Sequence, residues 1–168
     1  KNKPYTGFLY VGLKIKNNEP YMIEYNIRMG DPECQVILPR LKTDIVKIFE
    51  KSTSDKLINT KIEWKRKKCM TIVLCAKGYP RRYKKNLVIK NIDKLKLSKQ
   101  DYIFHAGTKI VDNELRSNGG RVLNITSVGN SFLKIRKNII YNLKKLNWKK
   151  GFYRKDIGWR VINKNESY

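Results

Sequence analysis

Residues 21–35 read Tyr-Met-Ile-Glu-Tyr-Asn-Ile-Arg-Met-Gly-Asp-Pro-Glu-Cys-Gln, and this stretch is the most informative part of the sequence about fold and function. Glu24, Asn26 and Arg28 occupy every second position behind an apolar run. Because alternate side chains of a strand share a face, a strand here places all three on one face, within about 13 Å. Carboxylate and amide oxygens suit magnesium, and a guanidinium suits phosphate oxygens. The stretch therefore predicts a site for a metal ion beside a phosphate group.

Residues 30–33, Gly-Asp-Pro-Glu, predict a turn into a helix that begins at Pro32. Asp31 is a favourable N-cap and Pro32 a favourable first helical residue, and Gly30 lets the backbone approach a ligand closely. A simpler interpretation stays open. Alternation is the commonest strand pattern, so the three polar residues before this turn also fit the solvated side of an ordinary edge strand.

The order of residues in this segment is specific to one enzyme family. Residues 24–35 closely resemble the metal-binding segment of the phosphoribosylamine–glycine ligase (glycinamide ribonucleotide synthetase) family, ATP-grasp enzymes of purine synthesis. Six blocks in the right order, spanning nearly the whole chain, argue against a chance match. The five that follow the first are Val36-Ile-Leu-Pro-Arg-Leu41, Ala76-Lys-Gly-Tyr-Pro80, Phe104-His-Ala-Gly-Thr108, Asn118-Gly-Gly-Arg-Val-Leu-Asn124 and Tyr153-Arg-Lys-Asp-Ile-Gly158.

The resemblance implies an α+β fold in two parts. Residues 1–62 would form the carboxy-terminal part of an ATP-grasp domain, with antiparallel strands, helices and the metal site. Residues 63–168 would form a small β-rich, barrel-like domain with one long helix.

The periodicity of the sequence agrees with this division. In the first part it predicts a hairpin with its turn at residues 16–20 and a helix capped by Thr43 or Asp44. In the second part it predicts short strands, with a hairpin turn at Asn118-Gly119. It also predicts a long helix capped by Asn130, with an apolar stripe from Phe132 to Leu146.

The resemblance also implies a reaction. The family joins glycine to 5-phosphoribosylamine while splitting ATP, and forms glycinamide ribonucleotide through a glycyl phosphate in de novo purine biosynthesis. Mg²⁺ or Mn²⁺ is the implied cofactor and ATP a co-substrate. By the same resemblance Glu24 and Asn26 hold the metal and Arg28 neutralises phosphate oxygens as the catalytic cation. The residues implied to contact substrates are Gly30, Asp31, Glu33, Arg121 and Arg154.

Alternatives remain open for several of these roles. Asp31 is as well explained by a helix cap alone. Arg160 is as well placed as Arg154, and these arginines, like Arg121, also fit ion pairs that hold the fold. His105, the only histidine, lies in an apolar strand, where a hydrogen-bonded structural residue is the commoner case.

The family's amino-terminal domain and ATP-holding loop have no counterpart in this chain, which opens with Lys1. The resemblance therefore implies a fragment without activity alone, whose partners are the amino-terminal part of the same enzyme and the small molecules glycine, 5-phosphoribosylamine and ATP. Another ATP-grasp carboxylate–amine ligase is the alternative within enzymes.

The chain carries 38 Lys and Arg against 14 Asp and Glu, a net charge of +24. Such charge is typical of nucleic-acid-binding proteins, so a basic binding module is the non-enzyme alternative. However, Lys crowds positions along the whole chain where any polar residue would serve, which indicates a compositional bias, and we expect no specific nucleic-acid partner. The three cysteines are too few for a zinc site. No apolar run is long enough for a membrane span, and a cytoplasmic location is expected.

Overall fold

The computed structural model describes residues 4–163, so the outer ends of the two predicted domains, residues 1–3 and 164–168, lie outside the described residues. The chain divides into two compact units, one ending at Arg66 and the other beginning at Lys67, termed here unit 1 and unit 2. The predicted domain boundary between residues 62 and 63 stays a prediction.

Unit 1 opens with a β-hairpin. Strands β1 (Tyr10–Lys16) and β2 (Glu19–Asn26) pair antiparallel. The two residues between them, Asn17 and Asn18, have φ values of 51° and 61°. Two successive positive-φ residues make the turn that matches the twist of a two-residue hairpin, so the predicted turn is confirmed.

The helices of unit 1 are short. Helix α1 (Cys34–Ile37) continues as a 3₁₀ turn, and α2 covers Ile45–Thr53. Asp44 caps α2, since its carboxylate accepts a hydrogen bond from Val46 N at 2.8 Å.

The predicted start of the first helix was wrong. Residues 31–33 form a turn, and Glu33 rather than Asp31 occupies the N-cap of α1. The Asp31 carboxylate accepts a hydrogen bond from the side-chain amide of Gln35 at 3.0 Å instead of capping the helix backbone.

Unit 2 is built on an antiparallel sheet of four strands in the order β4-β7-β3-β8. A separate hairpin is formed by β5 and β6. Two helices, α3 and α4, complete the unit. The elements are β3 (Lys68–Ala76), β4 (Asp101–His105), β5 (Thr108–Val111), β6 (Glu114–Ser117), β7 (Arg121–Gly129), α3 (Phe132–Leu146), β8 (Gly151–Phe152) and α4 (Trp159–Asn163).

The α+β class is confirmed, but the barrel-like closure was wrong. Within residues 4–163 the sheet is open, because β5 and β6 pair with each other and no strand joins edge strand β4 to edge strand β8.

The hairpin turn predicted at Asn118-Gly119 was also wrong, since β6 and β7 do not pair with each other. The turn lies instead at Asp112-Asn113, whose φ values are 50° and 59°. Asn118 N and Gly119 N both donate to Gly107 O, at 2.7 and 3.1 Å. The glycines allow this close approach, since a Cβ on Gly107 would lie 2.4 Å from Arg121 O.

The core of unit 2 lies between the sheet and α3. The apolar stripe of α3 packs on alternate residues of β3 and on β7, whose central residues are all buried. Burying each such side chain contributes roughly 1.5–3 kcal/mol. The predicted stripe is confirmed: Ile135, Ile139, Leu143 and Leu146 are buried, and Phe132 is partly buried against the same core.

The helix α3 begins one residue later than predicted. Ser131, not Asn130, is its N-cap and accepts a hydrogen bond from Lys134 N at 3.4 Å. Asn147 ends the helix in the left-handed conformation. Among the described residues, every helix is too short or too polar to cross a membrane.

Candidate functional site

Glu24 and Asn26 share one face of the hairpin in unit 1. Glu24 pairs with Gly12 across the two strands, and Asn26 pairs with Tyr10. Directly opposed residues of an antiparallel pair point to the same side, so all four belong to one face. Glu24 and Asn26 are about 7 Å apart along the strand. A Cβ on Gly12 would lie 3.1 Å from Glu24 Cγ, so the glycine leaves room for that side chain.

Two further groups join this face, the Tyr10 hydroxyl and the Glu33 carboxylate. The charge of Glu33 raises the pKa of Tyr10 above its ordinary value, with smaller contributions from burial, from a hydrogen bond to Glu33 and from the charge of Glu24. Both carboxylates therefore act on one phenol. The structure brings Glu33 to the same side of the hairpin as the predicted metal pair.

Gly30 is what allows Glu33 to reach this position. A Cβ on Gly30 would lie only 2.3 Å from Glu33 Oε2. The backbone of the segment is fixed as well, because Cys34 N donates to Gly30 O at 2.9 Å. Gly30 therefore makes room for a carboxylate of the same chain, whereas the sequence predicted room for a ligand.

Arg28 stands apart from this group. Strand β2 ends at Asn26, so Arg28 lies in a bend beyond the strand and the predicted alternation does not extend to it. Its guanidinium is exposed and donates to Met29 O at 2.8 Å. It also borders an apolar cavity of about 230 Å³ in unit 1.

Arg121 and Arg154 belong to unit 2. Arg121 begins β7 opposite Cys75. Burial raises the pKa of the Cys75 thiol, and the positive charge of Arg121 partly opposes that rise. Arg154 is held by Asp156 through two hydrogen bonds, from Nε at 3.1 Å and from Nη2 at 2.6 Å. This pair raises the pKa of Arg154 and lowers that of Asp156, as expected for the ion pair that the sequence left open.

Two other sequence candidates have local partners. His105 Nδ1 lies 2.8 Å from Thr108 Oγ1, so the histidine is hydrogen-bonded although it is exposed. The guanidinium of Arg160 lies over the ring of Trp159, 5.4 Å from its centroid.

The donor set on the hairpin fits a hard divalent cation. Magnesium is usually held by one or two carboxylates together with substrate phosphates and water, and not by a cage of protein ligands. Within the part of the chain that the structure describes, no group of three or more His, Cys, Asp or Glu residues could hold a metal. Glu24 and Asn26 are therefore suited to a metal that a phosphate ligand helps to bind.

Tyr10 was missed in the sequence. Its place opposite Asn26 depends on the register of the hairpin, and that register shifts between Gly12 and Leu13. The available signal was the Asn17-Asn18 turn, which fixes the pairing from its own end.

Comparison with protein families agrees with this geometry. The family model "Phosphoribosylglycinamide synthetase, C domain" matches residues 69–160, more than half of the chain. The chain belongs to the phosphoribosylglycinamide synthetase family. A second model of that family, "Phosphoribosylglycinamide synthetase, ATP-grasp (A) domain", matches residues 1–34, which include Glu24 and Asn26. The resemblance carried by the six sequence blocks is thus confirmed.

Individual members of the phosphoribosylglycinamide synthetase family are similar along almost the whole chain. A phosphoribosylamine–glycine ligase of Brucella melitensis is 39% identical over 164 residues, covering 98% of this chain and 38% of that protein. One from Fusobacterium nucleatum is 39% identical over 155 residues, covering 92% of this chain and 36% of that protein. The chain therefore spans under two-fifths of the length of these relatives.

A solved structure of the family has the same fold. The crystal structure of the phosphoribosylamine–glycine ligase from Thermotoga maritima matches with a TM-score of 0.69 and 31% identity. The match covers 88% of this chain and 36% of that chain.

Proposed function

We propose that this chain is the carboxy-terminal part of a phosphoribosylamine–glycine ligase. Such an enzyme forms glycinamide ribonucleotide from 5-phosphoribosylamine, glycine and ATP in de novo purine biosynthesis. The observation that carries the proposal is the match of the family along the chain, combined with the face that presents Glu24, Asn26 and Glu33 together.

The chemistry explains why these residue types are needed. A carboxylate is a poor electrophile, so glycine reacts with an amine only after its carboxylate has received a phosphoryl group from ATP. The amine of phosphoribosylamine then attacks the glycyl carbonyl, and phosphate leaves. Both steps bring negative groups together, so positioning and charge stabilisation supply most of the catalysis.

Glu24 and Asn26 would hold Mg²⁺ or Mn²⁺. When bound, the cation supplies positive charge against the ATP phosphates. Glu33 faces the same side and would orient the amine or glycine, and the Tyr10 hydroxyl would hold its carboxylate in place. Arg28 would neutralise phosphate oxygens. Its side chain is exposed, and to bind phosphate it would exchange its hydrogen bond to the Met29 carbonyl.

The remaining predicted substrate residues differ in availability. Gly30 positions Glu33, and Asp31 is engaged by Gln35, so we assign both a supporting role. Arg121 and Arg154, both residues of unit 2, would bind substrate phosphate, Arg154 only by exchanging its bonds to Asp156.

The proposal includes a partner, the amino-terminal part of the same enzyme. Apolar side chains in and directly after the hairpin are exposed, Ile23 of β2 at 65% and Ile27, just beyond β2, at 74%, and they offer a surface for that part to pack on. We also propose that residues 1–62 complete an ATP-grasp domain, that residues 63–168 form the family's carboxy-terminal domain, and that the enzyme works in the cytoplasm.

The test is glycine-dependent ADP formation by the complete enzyme. Replacing Glu24→Gln removes the carboxylate and should reduce turnover by roughly 100-fold or more. Glu19→Gln, an exposed change on the same strand, is the matched control and should leave turnover near normal. Near-normal turnover of the Glu24 variant at ordinary magnesium would contradict the assignment. Turnover with another carboxylate or amine, and none with glycine and phosphoribosylamine, would favour a different ATP-grasp ligase.

A further inference from the structure

Unit 2 contains a basic pocket that the proposed ligase site does not use. It has a volume of about 480 Å³, and four cationic side chains surround two half-buried side chains on its floor. The residues that line it are Lys77, Arg82, Lys84 and Lys150, with Tyr83 and Leu87.

The charges of this pocket are not balanced by the protein. None of its lining residues is acidic. Among residues 4–163, no ion pair involves any of its four cations. The sequence gives the reason, since no Asp or Glu occurs between Glu63 and Asp93 or between Glu114 and Asp156. Four like charges around one cavity repel each other, and an anion that enters relieves this repulsion.

The walls of the pocket are joined by the backbone. Lys77 N donates to Lys150 O at 2.8 Å, which ties the end of β3 to the segment before β8. Gly78 adopts φ +102°, and a Cβ there would lie 2.2 Å from Arg82 O. The chain therefore folds back tightly between Lys77 and Arg82, and brings both cations to one cavity.

The floor of the pocket is anchored in the core. Tyr83 and Leu87 pack against the buried cluster of unit 2. The ring of Tyr83 also contacts that of Tyr79 edge to face at 6.1 Å. Leu87 N donates to the buried Ser117 Oγ at 3.1 Å. The backbone that carries the cations is thus held in place, and on ligand binding only their exposed side chains have to become ordered.

We propose that this pocket binds a compact ligand with several phosphate charges, either a polyphosphate or a phosphorylated small molecule. Lysines act as point charges toward phosphate, and the Arg82 guanidinium can hold two oxygens at once. The volume falls in the range of small-molecule sites, about 300 to 1,000 Å³. A single-stranded nucleic acid instead needs a groove that follows several successive phosphates, and one compact surface pocket lined by six residues fits that less well.

The experiment is calorimetric titration of the whole chain with inorganic tripolyphosphate at about 0.15 M salt, where distant charges are screened. The pocket variant is Lys84→Gln with Lys150→Gln. The matched control is Lys94→Gln with Lys109→Gln, which removes the same charge from exposed positions of unit 2 outside the pocket. Circular dichroism and thermal midpoints establish that both variants are folded.

The expected result is one saturable site whose affinity falls by roughly tenfold in the pocket variant, while the control stays within about twofold of the unchanged chain. An equal loss in both variants, or binding without saturation, would show attraction to overall charge and would overturn the proposal. A short single-stranded oligonucleotide that binds more tightly than tripolyphosphate, and loses affinity only in the pocket variant, would overturn the choice of a small ligand.

Discussion

The Tyr10 hydroxyl is close enough to Glu33 and Glu24 for both charges to affect its pKa. The pKa of Tyr10 therefore reports on the candidate metal site. Both carboxylates favour the neutral phenol, and the pKa of Tyr10 is raised. A divalent cation bound to Glu24 and Asn26 would offset this negative charge. The pKa of Tyr10 should then fall back toward its ordinary value.

This change can be measured by following the tyrosine ring signals by NMR as the pH is raised, with and without Mg²⁺ and ATP. We predict a lower titration midpoint for Tyr10 in their presence. At a fixed pH the ring signal of Tyr141, in α3 of unit 2, should not move when Mg²⁺ and ATP are added. A Tyr10 midpoint that does not move, or that rises, would contradict binding of the cation at this face.

The sequence predicted that Glu24 and Asn26 share a face because strand alternation is a local property of the residues themselves. It misjudged the turn that follows them. Asp31 matches the preference of an N-cap, but its carboxylate bonds to the Gln35 side chain, and Glu33 takes the cap position. The place of Glu33 depends on its approach to Gly30 and Tyr10, and no short pattern encodes contacts across a hairpin.

Among the elements, β4 and α3 are joined by a polar clasp at Asp101. Its carboxylate accepts hydrogen bonds from Ser98 N at 2.8 Å and from Asn138 Nδ2 at 2.9 Å. Burial alone would raise the pKa of Asp101, but hydrogen bonds from Ser127, Ser98 and Asn138 outweigh it, and the pKa is lowered from 3.8. The clasp therefore favours the ionised carboxylate in the folded chain.

Replacing Asp101→Ala should lower the free energy of unfolding by about 1 kcal/mol at pH 7, since the carboxylate is only half-buried and solvent partly screens it. Because the folded pKa is lowered, the contribution is present above the unfolded pKa near 3.8 and is lost as pH falls through the folded value. Denaturant unfolding at pH 7 and near pH 3 measures this.

The control for this prediction is Asp93→Ala, an exposed residue of the 3₁₀ turn at Ile92–Lys94. It should change stability little at either pH. If the loss caused by Asp101→Ala were as large near pH 3 as at pH 7, the clasp would not depend on the ionised carboxylate.

Helices and strands with strong local patterns were predicted well, but the pairing of strands within the sheet was not predicted. The apolar stripe from Phe132 to Leu146 was enough to predict helix α3. Asn-Gly at residues 118–119 carries the usual hairpin signal, yet the segment bonds to Gly107 because β7 pairs with β3 and β4. Strand β7 lies between β3 and β4 and is buried along almost its whole length. Which strands pair is therefore a property of the whole sheet and not of a short sequence pattern.

At the scale of the whole molecule, the net charge of +24, from 38 basic and 14 acidic residues, should lower the stability of the fold. Self-repulsion of like charges destabilises a compact chain, and salt screens it. Raising NaCl from about 0.01 M to about 0.15 M shortens the screening length from about 30 Å to about 8 Å. We predict that the thermal midpoint, followed by circular dichroism, rises by several degrees. A midpoint that falls or stays constant would show that repulsion is not limiting.

The sequence predicted the family because six ordered blocks cover both units, and this resemblance, with which the periodicity agrees, implied the α+β class. The basic pocket could not be predicted from the sequence alone. The cluster at residues 81–85 was visible, but Lys77 and Lys150 are 73 residues apart (150 − 77) and meet only through the backbone bond between them. Charge counted along a chain does not show which cations share a cavity.

The central claim is that Glu24 and Asn26 bind a divalent cation. NMR spectroscopy with Mn²⁺ tests this claim most directly. A bound paramagnetic ion broadens the NMR signals of nearby nuclei. With Mn²⁺ and ATP, the amide signals of Gly12, Glu24 and Asn26 should broaden first in the unchanged chain and in Glu19→Gln. In Glu24→Gln this broadening should be lost. Broadening that persists in Glu24→Gln, or that appears first elsewhere in all three proteins, would contradict the claim.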